Sequence, residues 1–496
     1  MRHAGNATVA GHENALTFLT SVPPGMLIGG SWVAATSGTT MAVEDPATGE
    51  VIASVPDASP RDAAEAARHV VEAQRTWSST SPEERSEILR RAFERMTERA
   101  EELACLVTLE NGKPLAEARA EVAYAAEFFR WFSHQAVAPG GDFGRPPSGS
   151  GRILVMRQPV GPALLITPWN FPLAMLTRKI GPAIAAGCTM IVKPAPETPL
   201  SALVLGSLLI SVGLPAETLS IITTSHADTV VEAILKEPGI RKISFTGSTE
   251  VGRLLLHRAA DRVLRTSMEL GGNAPFIVFS DADLELAVEG AMVAKMRNGG
   301  ESCIAANRMY VQRSVAAEFS SRLADRMRRL RVGHGLDADV EVGPLINAEG
   351  KAKVEALVDD MLHRGGSLLV GGTRMTGKGY FFAPTVITDV PPQSRVLHEE
   401  IFGPVAPIIS FDGEAEAIAL ANATPFGLAA YAFTRDLGRA MRVSESLEAG
   451  MVGINTGLIS TPAAPFGGSK QSGLGREGGD QGMSEYLETK YVRVNW

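Results

Sequence analysis

Cysteine is scarce in this chain: three in 496 residues, at positions 105, 188 and 303. So low a count excludes a disulfide framework and fits a reducing compartment. Positive charge is also short, leaving a net charge of −8, which excludes the electrostatic footprint of a nucleic-acid binder or of a protein held on anionic membrane. Long apolar runs are missing. The most apolar stretch, 153–193, is broken by Arg157, Pro162, Trp169-Asn170, Arg178-Lys179 and several glycines. It falls short of the roughly 20 uninterrupted residues a membrane helix needs. The first 20 residues are polar and charged with no continuous apolar segment. No secretory leader is expected, and the protein reads as soluble and cytoplasmic. There is no internal repeat and no low-complexity segment.

The length allows two or three domains with a large core, and 45% hydrophobic with 21% charged residues is an ordinary globular balance. Short strands with Gly, Pro and Thr turns occupy 26–53. Helices follow, one opening at Ser59-Pro60 and one at Ser81-Pro82-Glu83-Glu84, which reads as a capping box. From Val160 strand and helix alternate. Strands are expected at 163–166, 189–192, 219–222 and 242–246, helices at 173–186, 200–212, 230–235 and 251–259. That pattern predicts a parallel sheet covered on both faces, with ligands outside the carboxyl ends of its strands, where Trp169-Asn170, Lys193 and Gly247 lie. A second α/β region begins near Leu270, with helices at 284–296, 316–331 and 351–364. Two β-like pieces, 152–157 and the alternating tail ending at Trp496, read as edge strands for pairing with another subunit. Cys105 and Cys188 sit in apolar surroundings and read as packing.

Two nucleotide-loop patterns fail on context. Gly473-Leu474-Gly475-Arg476-Glu477-Gly478 fits G-x-G-x-x-G but follows a polar turn and leaves too little chain for a βαβ unit. Gly372–Gly379 resembles a P-loop, yet Gly379 stands where Ser or Thr must hold Mg²⁺, and the segment reads as a plain turn.

Chemistry concentrates around Cys303, in Arg297-Asn298-Gly299-Gly300-Glu301-Ser302-Cys303, 34 residues after Glu269 in Met268-Glu269-Leu270-Gly271-Gly272. A thiol framed by glycines, with a carboxylate beside a double glycine, suggests a covalent acyl-enzyme that water later cleaves. With Thr167-Pro168-Trp169-Asn170-Phe171-Pro172, Lys193-Pro194-Ala195-Pro196, Phe245–Gly252, Glu399-Glu400-Ile401-Phe402-Gly403-Pro404 and Pro465-Phe466-Gly467-Gly468, the chain resembles the aldehyde dehydrogenase superfamily from about residue 26 to its end. The resemblance implies an α/β fold: a parallel-sheet cofactor domain (1–138 and 159–269), an α/β catalytic domain (270–480), and a small β oligomerisation element (139–158 and 481–496) in a homodimer or homotetramer.

It also implies roles. Cys303 attacks an aldehyde carbonyl, the Asn170 amide and the Cys303 N–H hold the oxyanion, and Glu269 activates water against the thioester. No metal is implied. NAD or NADP is implied along Thr167, Pro168, Trp169, Lys193, Pro194, Ala195, Pro196, Gly247, Ser248, Thr249, Glu250, Val251, Gly252, Leu270, Glu400 and Phe402. Gly247 to Gly252 open a helix whose N-terminus can take a phosphate. Pro196 stands where NAD-selective relatives often place Glu, so NADP is favoured; Glu197 follows one residue later. The likeness is strongest to members acting on succinate semialdehyde, in which Arg178, Arg297 and Ser460 match the positions holding the distal carboxylate. Two guanidiniums and a hydroxyl suit a desolvated carboxylate. Glu301 stands where many relatives carry Gln, and Ala305 where some carry a second cysteine, so a disulfide switch is not expected. Rival readings are a glutarate-semialdehyde or broad-specificity enzyme, a CoA-acylating dehydrogenase, a thiol hydrolase pairing Cys303 with His134 or His398, and a non-catalytic member of the fold.

Overall fold

The alternation after Val160 builds an eight-stranded sheet in the computed structural model, which describes residues 15–138 and 140–496. Of the opening segment read for a leader, residues 1–14 lie outside that range. The strand order is Ser31–Val33, Met26–Ile28, Leu219–Ile221, Met190–Lys193, Ala163–Ile166, Lys242–Thr246, Arg265–Glu269 and Gly473–Leu474. The five strands from Leu219–Ile221 to Arg265–Glu269 run parallel, and the pairings outside them are antiparallel. Every residue of Ala163–Ile166, Met190–Lys193 and Lys242–Thr246 is buried, as strands covered on both faces must be. The register sets Ile166 beside Lys193 and Phe245, and Thr246 beside Glu269. The carboxyl ends of four strands thus form one rim.

The broken apolar stretch 153–193 has a structural cause. Its helix, Pro172–Ala186, is buried at all 15 positions, including Arg178 and Lys179, packed against the long helix Leu115–Ala136. Gly181 permits that contact, since a Cβ there would lie 2.9 Å from the Phe132 ring. Neither Leu115–Ala136 nor Ala100–Asn111 was delimited from sequence. The complete capping box lies at Ser59, reciprocated by Asp62. At Ser81 the hydroxyl accepts from the Glu84 N–H without the return bond, because an exposed Glu84 satisfies itself in water.

A second, seven-stranded sheet follows Glu269, in the order Ser367–Val370, Thr385–Thr388, Val405–Phe411, Ala306–Gln312, Ala274–Val278, Ala429–Phe433 and Met451–Ile454. Only its first strand is antiparallel. The late segment Gly473–Leu474 returns to the first sheet and pairs with Met268 and Glu269. The two β-like pieces read as separate edges pair with each other: Leu487–Val494 runs antiparallel to Arg152–Pro159, which also takes Asp142–Gly144. Neither piece has a core of its own, so each supplies the other's ladder. Among the described residues no helix is long and apolar enough to cross a membrane.

Candidate active site

Two cavities meet at Cys303. The half-buried thiol follows a tight turn, Arg297–Gly300, in which Asn298, Gly299 and Gly300 take left-handed backbone with φ of 53°, 58° and 81°. Asn tolerates that conformation better than other non-glycine residues. At Gly300 nothing larger fits, because a Cβ would lie 2.2 Å from the Gly403 carbonyl oxygen. Asn298 Nδ2 donates to the carbonyls of Asn170 (2.8 Å) and Glu301 (3.2 Å). Asn170 Nδ2 donates to the same Glu301 carbonyl at 3.1 Å. An amide carries two N–H donors, so one remains for a ligand. Lys113, buried and ion-paired with Glu121, donates to the Asn170 carbonyl at 2.8 Å. Sequence reasoning missed this support, since a lysine in Asn-Gly-Lys-Pro reads as a surface turn.

Desolvation pushes the Cys303 thiol up to about 12, Arg178 opposing and Glu400 and Glu269 adding to the rise. At neutral pH it is a thiol, and making it a nucleophile requires a base. Glu269, at its strand's carboxyl end, is buried, and neither of its oxygens has a hydrogen-bond partner among the described residues. Burial and the Glu477 carboxylate hold its pKa well above the usual range, against Arg178, Lys179 and Arg476. A carboxyl left without partners in a cavity wall is poised to exchange a proton with what enters. Gly467 keeps that space open, because a Cβ there would lie 2.9 Å from Glu269 Oε1.

The larger cavity, about 520 Å³, is lined by Pro168, Trp169, Asn170, Gly247, Ser248, Glu269, Leu270, Cys303, Glu400 and Phe402. Trp169 and Phe402 meet edge to face at 5.4 Å. Glu400, pushed up to about 7 by burial, accepts from the Gly272 N–H at 3.3 Å. Other expected residues stand behind the wall. Thr167 donates its N–H to the Lys193 carbonyl. Lys193, Pro194 and Ala195 are buried, and Pro196 is half-buried. Thr249, Glu250, Val251 and Gly252 form the first turn of the helix Thr249–Ala260, whose N-cap Ser248 faces the cavity. Gly252 allows that helix onto Leu270.

The wall also holds Glu197, Ile346, Asn347, Glu349, Gly350 and Lys353, which sequence reasoning did not select. Asn347, capping the helix Ala348–His363, was the readable signal. Glu197 corrects one premise. The absence of a carboxylate at Pro196 does not leave the cavity without one, because Glu197 turns into it. Burial raises the Glu197 carboxyl, opposed by Lys193, and burial depresses Lys193 to about 8, opposed by Glu197. A helix N-terminus, an aromatic pair, a lysine and carboxylates around a cleft of this volume fit a nicotinamide dinucleotide.

The smaller cavity joins residues distant in sequence: Arg178, Arg297, Ser460, Phe466, Tyr124 and Cys303. Arg297 Nη1 donates to Ser460 Oγ at 3.1 Å, and its guanidinium lies over Phe171, 4.8 Å from the ring centroid. Arg178 is 2% exposed, stacked 3.9 Å from the Phe466 centroid, with Nε lacking a hydrogen-bond partner among the described residues. No histidine lines either cavity among the described residues.

A model of the aldehyde dehydrogenase family matches residues 32–492. The chain is 53% identical over 444 residues to a succinate-semialdehyde dehydrogenase of Paenarthrobacter nicotinovorans, covering 90% of this chain and 99% of that one. It is 49% identical over 465 residues to a glutarate-semialdehyde dehydrogenase of Pseudomonas aeruginosa, covering 94% and 96%. A solved betaine aldehyde dehydrogenase of Staphylococcus aureus in complex with NAD+ superposes with a TM-score of 0.95 at 36% identity, over 98% of this chain and 97% of that one.

Proposed function

The chain belongs to the aldehyde dehydrogenase family, and we propose that it oxidises an aldehyde bearing a distal carboxylate, succinate semialdehyde foremost, to the acid with NAD or NADP. The carrying observation is the convergence of Arg178, Arg297 and Ser460 on the cavity that also holds Cys303. Desolvated guanidiniums are costly unless an anion meets them. The two semialdehyde dehydrogenases named above, though not the betaine aldehyde dehydrogenase, carry substrates of that charge in their names.

In this reading the Cys303 sulfur bonds the aldehyde carbon as its proton leaves toward Glu269. The oxyanion is held by the free Asn170 amide hydrogen and the Cys303 N–H. A dinucleotide held in the larger cavity would supply the hydride acceptor, and Trp169 and Phe402 would hold its nicotinamide end. Once Glu269 has released the thiol's proton to solvent, it deprotonates the water that cleaves the resulting thioester, and the sulfur leaves as thiolate. An unpartnered carboxyl here favours water as the acceptor over a second thiol such as CoA. The same reading gives the three-stranded sheet to subunit association, supported by its open edges and by Phe143 and Trp496, 72% and 83% exposed.

The test sets succinate semialdehyde, glutarate semialdehyde and butyraldehyde against NAD and NADP. The acids are expected to exceed butyraldehyde in kcat/KM, and equal values would overturn the reading. Arg297→Ala should cost the acid substrate about 2–3 kcal/mol, roughly 30- to 150-fold in kcat/KM, and butyraldehyde far less; a uniform loss would remove the carboxylate pocket. Glu197→Gln should raise the NADP-to-NAD ratio of kcat/KM about tenfold by removing a charge that repels a 2′-phosphate. Equilibrium binding of 2′,5′-ADP should tighten with it, and an unchanged affinity would free Glu197 from that role.

A further inference from the structure

Arg178 belongs to two groupings at once. Toward the smaller cavity it shares a wall with Arg297, Ser460 and Cys303. On its other side its Nε lies 3.5 Å from Glu477 Oε2 without hydrogen-bond geometry, and neither atom has a hydrogen-bond partner among the described residues. Among the described residues the one donor contact of its guanidinium is weak, Nη1 to the Met175 sulfur at 3.7 Å. Glu477 spends its other oxygen on Lys179, whose Nζ donates at 2.5 Å and also donates to Ser244 Oγ. Met175, Arg178, Lys179, Ser244 and Glu477 are all buried. The charges acting on Glu269 are Glu477, Arg178, Lys179 and Arg476, from the helix Pro172–Ala186 and the late segment, with the Cys303 thiol across the cavity. A guanidinium with unmet donors, standing between a carboxylate and a cavity, can be drawn toward either.

Resting on the carboxylate-pocket reading above, we propose that Arg178 is shared between the substrate's distal carboxylate and Glu477, so that filling the pocket changes the charge felt by Glu269. With the pocket empty or holding a neutral chain, Arg178 offsets Glu477 and favours the ionised Glu269. A carboxylate on Arg178 cancels that help inside a low-dielectric site. Glu269 then holds its proton to higher pH and, once ionised, is the stronger base toward water. Acid-bearing and neutral acyl groups are hydrolysed by the same carboxylate with two different basicities.

The test isolates hydrolysis. Mono-4-nitrophenyl succinate and 4-nitrophenyl butyrate each acylate Cys303: the sulfur bonds the ester carbon, 4-nitrophenolate leaves with the bonding pair, and the thiol proton goes to solvent. Water then cleaves the thioester, giving the acid and the thiol. Intact mass follows decay of the acyl adduct of the full chain from pH 6 to 10. In the native protein the apparent pKa of hydrolysis should be higher for the succinyl than for the butyryl adduct by about one unit. Arg178→Met should bring the two together, and Arg297→Met should keep them apart, since the tethered carboxylate still reaches Arg178. Coincident values in the native protein, or an undiminished gap in Arg178→Met, would overturn the proposal. Glu477→Gln, nearly isosteric, should lower both values, and an unmoved profile would overturn it equally even if Arg178→Met fails to accumulate. If the succinate ester acylates no faster than the butyrate ester, the carboxylate pocket itself fails; faster acylation with coincident profiles sinks the coupling alone.

Discussion

Cys303→Ala is expected to lower aldehyde oxidation roughly 10⁴-fold or more, with both acid and neutral aldehydes. No other described cysteine can substitute. Cys105 and Cys188 are buried in packing positions, and burial pushes each thiol up to about 11. The loop should survive the change, because its geometry is held by Asn298, Gly300 and the Asn170 amide rather than by sulfur. Dinucleotide binding, measured by fluorescence titration, should therefore stay within about twofold. Residual turnover above a few per cent would take the nucleophile away from Cys303.

Glu269→Gln is expected to slow thioester hydrolysis by roughly 10²- to 10⁴-fold, the range ascribed to a positioned general base. The acyl-enzyme should accumulate and be visible by mass after one turnover. The sign of the pH dependence follows from the raised pKa of Glu269. Burial and Glu477 hold more of the carboxyl in its acid form than an exposed glutamate would keep, the basic form grows as pH climbs, and native hydrolysis should rise with it. In Glu269→Gln the rise should disappear. A variant that hydrolysed at the native rate with the native profile would assign the water to another group.

Much of this was legible in the linear sequence, for identifiable reasons. Strand and helix after Val160 alternate with short links, and buried parallel strands read as continuous apolar runs, so four of the first sheet's five parallel strands could be laid out nearly to the residue, while Arg265–Glu269 was not delimited. The glycines around Cys303 announced a close backbone approach, which Gly300 against Gly403 makes. What escaped was non-local. Lys113, Glu121 and Glu477 reach the site from distant elements, and their surroundings in sequence resemble solvated surface. Glu197 was visible, but which way a side chain turns after Pro-Ala-Pro depends on what packs around it.

Glu301 shows how the structure resolves a departure that sequence could only note. Its Oε1 accepts from the Ile346 N–H at 3.0 Å, and burial pushes the carboxyl up to about 8. At neutral pH it is an uncharged acid, and its carbonyl oxygen does what a glutamine carbonyl does. The exchange of Glu for Gln therefore preserves the tie between the Cys303 loop and the cavity wall at Ile346.

The return of Gly473–Leu474 to the edge of the first sheet carries a consequence for dissecting this molecule. The segment brings Gly467, Arg476 and Glu477 to Glu269 along with its ladder bonds. A contiguous fragment ending near residue 269 would lack both its last strand and the charges that tune its base. Expression of separate halves, or circular permutation through that region, would have to carry this stretch with the amino-terminal piece.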